Sequence, residues 1–296
     1  MKIIVTGSSG NISRPLTQLL VQKGHTVTVV SSNPEKQQAI EALGAAAAIG
    51  AVEDADFLTC TLQGADALYA MIPPNFTTTD QRARYRQIGH SYARAIRATG
   101  VKRVVHLSSM GAHLDKGIGI ILGSHDVEGI LNELPGLSLT HLRPGSFFYN
   151  LYGFIDSIKR RGYIRANYGG EDKTQLVAAT DIAAAAAEEL DAILPARPVR
   201  YILSDECSCN NIAAVLGKAI GKPDLQWITC SREEALADFK ERGIPDNTAA
   251  EIADIYDSIH NGAFEEDYYA HGPVVPGKIK LTDFAKEFAA VFNQGN

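Results

Sequence analysis

Residues 3–13 read Ile3-Ile4-Val5-Thr6-Gly7-Ser8-Ser9-Gly10-Asn11-Ile12-Ser13, and this stretch decides the fold class. The apolar run Ile3–Val5 has no polar alternation, which predicts a strand buried on both faces. Gly7 and Gly10 punctuate it, and Pro15 to Val21 then carries Leu16, Leu19 and Leu20 at helical spacing. Gly24 closes that helix and Thr26–Val30 is a second β-branched run, so the first thirty residues predict one β-α-β unit.

The alternation continues outward. Helical patterns at Pro34–Leu43, Phe57–Leu62, 80–98 and 124–134 separate strand patterns at Ala46–Ile49, Ala67–Ile72, Val104–Leu107 and Ser138–Leu142. Such regular exchange predicts an α/β fold with a Rossmann-like, doubly wound parallel sheet. After Arg143-Pro144-Gly145 the rhythm weakens. Helices are predicted at 151–161 and 181–191, a strand at Tyr201–Leu203, and short helices from Cys207 onward. We therefore expect a dinucleotide-binding domain over 1–150 and a smaller, mostly helical C-terminal cap over 151–296, with about 174–205 returning to the main sheet.

Composition narrows the partners. The chain has 296 residues, 45% hydrophobic, with a formal net charge of −6. Residues 1–150 hold 13 Lys/Arg against 11 Asp/Glu, and residues 151–296 hold 15 against 23. An acidic second half argues against nucleic acid, whose phosphates it would repel. No apolar run is long enough to span a bilayer, so no membrane partner is expected. Cys60, Cys207, Cys209 and Cys230 lack metal-ligand spacing, and Met1–Val5 has no signal-peptide pattern; a reduced, cytoplasmic compartment is expected.

A glycine turn between strand and helix lets backbone N–H groups approach a pyrophosphate at a helix N-terminus. The spacing here is G-x-x-G-x-x-S, with Ser13 in the third small position. Thr6, Gly7, Ser9, Gly10, Asn11 and Ile12 are the expected cofactor contacts. At the end of the second strand an acidic residue would favour NAD and a cation NADP. The chain has Ser31-Ser32-Asn33-Pro34, with Lys36 the nearest cation, so NADP(H) is preferred and NAD(H) is the alternative. Ligands of open parallel sheets sit at the carboxyl ends of strands, which adds Met71, Ile72, Pro73 and Pro74 after the fourth strand and Ser108, Ser109 and Met110 after the fifth. Glu53-Asp54 either faces adenine or is a solvated loop.

Thr6–Ser13 resembles the T-G-x-x-G-x-x-G of atypical short-chain dehydrogenases. Gly100–Val105 before Ser108-Ser109, Leu142-Arg143-Pro144-Gly145 and Thr180-Asp181-Ile182-Ala183 resemble the NmrA-like branch, over about residues 1–190. That resemblance implies a small NAD(P)H-dependent quinone or azo reductase, or a redox sensor without turnover. It also implies that the Met71–Pro74 loop lies along the nicotinamide ribose.

The Tyr-x-x-x-Lys of many short-chain dehydrogenases is missing, which argues against sugar epimerases. By the resemblance, His125 stands where isoflavone-reductase-like relatives carry a catalytic lysine, and an imidazole there can donate a proton; a structural helix-capping role is the competing account. His106 reads as a core residue, and His113 as able to face a pocket. The remaining histidines show no paired spacing, so no metal is expected. Phe147, Phe148, Tyr149 and Tyr152, with Met110 and His113, can wall a pocket for a flat substrate such as a quinone; core packing competes for each. Arg82, Arg84, Arg86, Arg94 and Arg97 make one helix basic, either as a solvated face or as a homodimer contact.

The expected function is hydride transfer from NADP(H) to a small electron-poor acceptor, with a non-enzymatic redox sensor as the alternative.

Overall fold

The structure is a computed structural model and describes residues 1–73, 75, 78, 80–192 and 197–294. It divides into two compact units that the chain visits in turn. The first comprises Met1–Ala112, Leu122–Arg143 and Ile182–Arg200, and the second His113–Ile121, Pro144–Asp181 and Tyr201–Asn296. A single boundary near residue 150 therefore does not describe the organisation.

The first unit alternates as its sequence pattern predicts. In order it holds β1 (Lys2–Val5), α1 (Ser13–Gln22), β2 (Thr26–Ser31), α2 (Gln37–Glu41), β3 (Ala46–Ile49) and α3 (Ala55–Leu62). β4 (Ala67–Ala70), α4 (Gln81–Thr99), β5 (Arg103–Leu107), α5 (Ile121–Asn132) and β6 (Ser138–Pro144) follow. A 3-10 turn at Pro34–Lys36 takes up the start of the helix expected from Pro34, capped by Asn33, whose side chain accepts the Glu35 N–H. Ile3, Ile4 and Val5 are fully buried, as a strand covered on both faces requires.

The seven-stranded sheet has the order β10-β6-β5-β4-β1-β2-β3, where β10 is Val199–Ile202. Pairings from β3 across to β6 are parallel. The order reverses between β1 and β4, so the crevice outside their carboxyl ends is where a doubly wound sheet accepts a ligand. Leu58, Leu62, Ile88, Tyr92 and Ile96 bring α3 and α4 into the core beside Leu68 and Val104. Gly100 ends α4 in the left-handed region at φ 69°, where a side chain would be strained.

The second unit begins its main run with β7 (Ser146–Phe147), a 3-10 helix at Phe148–Phe154 and α6 (Ile155–Arg161). It continues with β8 (Ile164–Ala166), β9 (Lys173–Val177) and the start of α7 (Ala179–Asp191), and resumes after β10 with β11 (Asp205–Ser208) and α8 (Cys209–Ala219). β12 (Trp227–Thr229), α9 (Arg232–Glu241), α10 (Asp246–His260), α11 (Glu266–Ala270) and α12 (Leu281–Asn293) complete it. Of the 174–205 stretch expected to return to the large sheet, β10 does so at its edge, whereas β9 does not. It sits between β7 and β11 in a three-stranded sheet, and β8 pairs with β12.

Two of the distinctive sequence patterns serve packing here. A Cβ on Gly145 would collide with the Gln175 carbonyl, so the turn after Pro144 needs glycine. Asp181 accepts the Ser204 hydroxyl at 2.6 Å and the Lys278 N–H at 3.1 Å, pinning the segment before α12. Among the described residues, no helix is long and apolar enough to cross a membrane.

Candidate functional site

The glycine turn after β1 is built against the end of β4. Gly7 stands at φ 101°, and a Cβ there would lie 2.5 Å from Ser13 Oγ and 2.7 Å from Met71 Sδ. Both the backbone conformation and the space demand glycine. Ser13, in the third small position, is buried and its hydroxyl donates to the Thr6 carbonyl at 2.9 Å. The serine therefore takes up the carbonyl just past β1 that a third glycine would leave for another donor.

Ser8 N–H donates to the Val30 carbonyl at 2.9 Å and Gly10 N–H to Gly7 at 3.3 Å. Among the described residues, the N–H groups of Ser9, Asn11, Ile12 and Ser13 donate to no backbone carbonyl. They gather at the N-terminus of α1, whose dipole adds partial positive charge. This is the arrangement an anionic pyrophosphate fits. Thr6 contributes differently from the expectation that it contacts cofactor. It is fully buried, its hydroxyl donating to Tyr69 O at 3.1 Å while its Oγ1 accepts the Met71 N–H at 2.9 Å. Tyr92 OH donates to the Met71 carbonyl at 2.6 Å and lies 3.0 Å from Thr6 Oγ1, so these residues clamp the strand ends together. Burial raises the Tyr92 phenol, which stays protonated.

Beside the turn lies a cavity of about 350 Å³ lined by Gly7, Ser8, Ser31, Ser32, Glu53 and Arg84, among others. Ser31 is buried. Its hydroxyl accepts from Ser8 Oγ at 2.9 Å and from Asn33 N–H at 3.2 Å, so it shapes the cavity wall. Ser32, Asn33 and Lys36 are exposed, leaving their side-chain donors facing solvent at the end of β2. No carboxylate stands at Ser31–Asn33; the first acid past β2 is Glu35, exposed beside Lys36. Among the described lining residues the one acid, Glu53, is neutralised: Arg84 Nη2 meets Glu53 Oε1 at 2.7 Å, and Nη1 donates to the Pro73 carbonyl at 2.6 Å. Sequence reading placed Arg84 on a basic face and did not tie it to this cavity; helical spacing carries no signal that one arginine of five turns toward a loop thirty-one residues away. Ser8 was likewise missed, although its φ of 57° makes it the strained residue of the turn.

At the β4 end, Ile72 is buried while Met71 and Pro73 are half-buried; Pro74 lies outside the described residues. At the β5 end, Ser108 is buried and its hydroxyl donates to Glu128 Oε1 at 2.5 Å, while Ser109 donates to the Met110 carbonyl at 2.9 Å. Met110 is fully buried, a core residue and not an open pocket wall. His125, on α5, is half-buried with Nδ1 2.9 Å from the Ala112 carbonyl. A carbonyl only accepts, so Nδ1 carries hydrogen and Nε2 is the ring atom left to exchange a proton.

His106 and His141 meet across β5 and β6 with Nδ1 atoms 3.0 Å apart. His141 Nε2 lies 3.2 Å from Asn132 Oδ1. Donation to that oxygen leaves His141 Nδ1 as acceptor and His106 as donor. Burial pushes both imidazoles below their ordinary range, so the pair is neutral. Among the described residues, no group of three or more His, Cys, Asp or Glu side chains is placed to hold a metal. All four cysteines are free, and burial pushes the Cys207 and Cys209 thiols up to about 11 and about 12, far from a reactive thiolate.

In the second unit, the expected aromatic wall divides. Phe148 stacks on Phe284 at 5.1 Å, and Tyr152 packs on Phe284 and Phe288 at 5.3 and 5.9 Å. Both serve the packing of α12. Tyr149 lies 5.0 Å from Phe147, and burial raises its phenol to about 12. Phe147 alone of the four lines a cavity of about 340 Å³ inside this unit. His113 is half-buried in the 113–121 segment. The cavity's polar lining is Ser146, Asn150, Thr174 and Arg242, with Tyr168 and Tyr256 among its aromatic walls. Sequence reading named none of these six.

Comparison with known proteins places this geometry. A family model described as the NmrA-like family matches residues 1–280. The chain is similar to an NADPH-dependent quinone oxidoreductase from Escherichia coli, solved with NADPH, at 23% identity and a TM-score of 0.82, covering 98% of this chain and 100% of that one. It is also similar to a triphenylmethane reductase of Citrobacter sp., at 20% identity and a TM-score of 0.79, covering 98% and 100%. A 4-hydroxy-2-methyl-3-oxo-4-farnesyl-3,4-dihydroquinoline-1-oxide ketoreductase of Stigmatella aurantiaca is 30% identical over 112 residues, which are 37% of this chain. The match spans about a third (34%) of the length of that curated relative.

Proposed function

The chain belongs to the NmrA-like family, and on that premise we propose that it is an NADPH-dependent oxidoreductase passing a hydride to a small electron-poor acceptor, quinone-, azo- or carbonyl-like. The observation that carries the proposal is the turn after β1. Among the described residues, its N–H groups at the N-terminus of α1 donate to no backbone carbonyl, and they lie beside a cavity in which the acid of the described lining, Glu53, is paired with Arg84. With Ser32 and Asn33 and no acid directly at the end of β2, and Lys36 exposed nearby beside Glu35, the site favours a 2′-phosphate over a free 2′-hydroxyl. NADPH-dependent relatives of the same fold support the choice of cofactor.

When bound, the reduced nicotinamide supplies the hydride. The chain's part is to hold and orient the cofactor, through Gly7, Ser9, Gly10, Asn11 and Ile12 at the pyrophosphate and Ser32, Asn33 and Lys36 at the ribose phosphate. His125 is the proton source, through Nε2. That role needs the imidazolium, because Nδ1 is held by the Ala112 carbonyl.

Steady NADPH consumption against a panel of quinones, azo dyes and aldehydes tests the proposal. His125→Gln should lower kcat by about 10²-fold or more if the imidazole donates the proton. Tight NADPH binding with no turnover on any acceptor would overturn the reductase reading and favour a sensor of nicotinamide state.

A further inference from the structure

Helix α10 carries an apolar stripe that the protein only partly covers. Ile252, Ile255, Tyr256 and Ile259 recur at the spacing that sets them on one helix face. Ile259 is buried, but Ile252, Ile255 and Tyr256 are only half-buried. All four line the cavity of about 340 Å³ inside the second unit. The described lining of that cavity holds one charged side chain, Arg242, and no acid. Arg242 Nη2 donates to the Gly153 carbonyl at 3.0 Å, and the guanidinium carbon lies 5.9 Å from the centre of the Phe239 ring. Gly153 and Phe239 line the cavity too, so the guanidinium is held at its wall. Among the described residues, no carboxylate pairs with it. The three acids of an adjoining cavity that Arg242 also lines are engaged by other arginines. Asp156 meets Arg160 at 2.8 Å, and Asp238 and Glu241 meet Arg161 at 2.8 and 2.5 Å.

One unanswered positive charge at the wall of an apolar cavity selects among ligands. A cation is repelled, a hydroxyl-rich sugar strands its donors against the aliphatic stripe, and a neutral molecule leaves the guanidinium without a counter-charge. A dianionic phosphate brings more charge than one guanidinium balances. A single carboxylate matches the planar guanidinium fork. Asn150, another lining residue, precedes Gly153 by one turn of the 3-10 helix, which stacks the two on one side and sets its amide near the same end of the cavity. The volume falls in the range of small-ligand sites. We infer that this cavity binds an apolar monocarboxylate, with the carboxylate on Arg242 and Asn150 and the hydrocarbon body along the α10 stripe. The inference goes beyond the proposed reductase, whose acceptor need carry no charge, and every residue it uses belongs to the second unit.

Calorimetric titration of the full-length protein with octanoate, without nicotinamide, tests the site, and 1-octanol is the uncharged control of equal length. Octanoate should bind saturably at one site, and octanol about 10- to 100-fold more weakly, the difference that a charge-assisted pair makes. Arg242→Met keeps the apolar stem and removes the charge. It should lower octanoate affinity by the same factor and leave octanol affinity unchanged, which also shows that the variant is folded. Raising the salt concentration should weaken octanoate binding in the wild type and leave the Arg242→Met protein unaffected. Ile252→Trp, which fills the cavity from the α10 stripe, should abolish binding of both compounds, with the near-ultraviolet circular dichroism of the fold retained. No saturable heat with octanoate, equal octanoate affinity in wild type and Arg242→Met, or octanoate still bound by Ile252→Trp would each overturn the assignment. Because no nicotinamide is present, a failure here leaves the reductase reading standing, and the absence of NADPH turnover leaves this site standing.

Discussion

The Ser108 hydroxyl donates to Glu128 Oε1 at 2.5 Å, joining the end of β5 to the middle of α5. Arg143, at the end of β6, holds the same carboxylate with Nε at 3.0 Å from Oε1 and Nη2 at 2.6 Å from Oε2. All three residues are buried. The helix that carries His125 is thus tied to two strand ends by one carboxylate, three residues beyond the imidazole. A serine expected to face the cofactor is instead part of the support for the neighbouring helix.

Removing one partner of this buried pair should be costly. Glu128→Ala removes the buried carboxylate that both Ser108 and Arg143 hold, and should destabilise the protein by about 3–5 kcal/mol. Glu128→Leu combined with Arg143→Met should lose clearly less than the single replacement. Urea unfolding of the three proteins checks both statements; a double variant weaker than Glu128→Ala would contradict them.

Gly7→Ala tests the turn directly. The added methyl meets Ser13 Oγ and Met71 Sδ, and φ 101° is unfavourable for alanine. The turn must open, which moves the N–H groups off their target. NADPH affinity should fall at least about tenfold, equivalent to ~1.4 kcal/mol, measured by fluorescence titration. Unchanged affinity would show that the turn does not hold the cofactor.

Arg84 neutralises Glu53 within the cavity beside the turn. Arg84→Ala should expose a carboxylate to a phosphate-bearing ligand and weaken NADPH binding about tenfold, more at low salt than at high. Glu53→Gln added to it should restore most of the loss. If the double variant binds as poorly as Arg84→Ala, the guanidinium matters for itself and not for silencing Glu53.

The His106–His141 pair makes stability depend on pH. Both folded-state imidazoles titrate below the ordinary 6.5, so below that pH the unfolded chain takes up protons that the native chain refuses. Stability is retained above about pH 7 and lost as pH falls, by up to about 1.4 kcal/mol per pH unit for each ring. Glu265 acts with the opposite sign: burial raises its carboxyl to about 7, so its proton supports the native state below 4.5 and that support is lost as pH rises through 7. In a Glu265→Gln background, unfolding free energy should fall between pH 7 and 5. His106→Phe with His141→Leu should flatten that slope, and an equal slope in both proteins would refute the assignment.

Much of the first unit was legible because its residues speak locally. Ile3–Val5, the Gly7–Ser13 turn and the Leu16, Leu19, Leu20 spacing each announce their element within a dozen residues, and a parallel sheet follows from the regular alternation. The polar partnerships were not legible. Ser108 with Glu128 spans 20 residues, Glu53 with Arg84 spans 31 and His106 with His141 spans 35. No periodicity encodes which polar group meets which across such distances. The aromatic run 147–152 shows the same limit, since hydrophobic spacing is alike for Phe147, which lines a cavity, and for Phe148 and Tyr152, which pack on α12. Tyr168 and Tyr256 lay outside every motif and meet only through the fold of the second unit.

The interleaving of the two units bears on synthesis. The large sheet gains its edge strand, β10, only when residues 199–202 have been made, and the 144–181 segment of the other unit emerges before that. A ribosome adding about 5–20 residues per second exposes the unpaired edge of β6 for several seconds while that foreign segment is threaded out. Neither unit can be released by one cut of the chain or produced as a simple truncation, so the protein must mature as a whole. A nascent chain halted before Val199 presents an open sheet edge to whatever strand or chaperone is nearest.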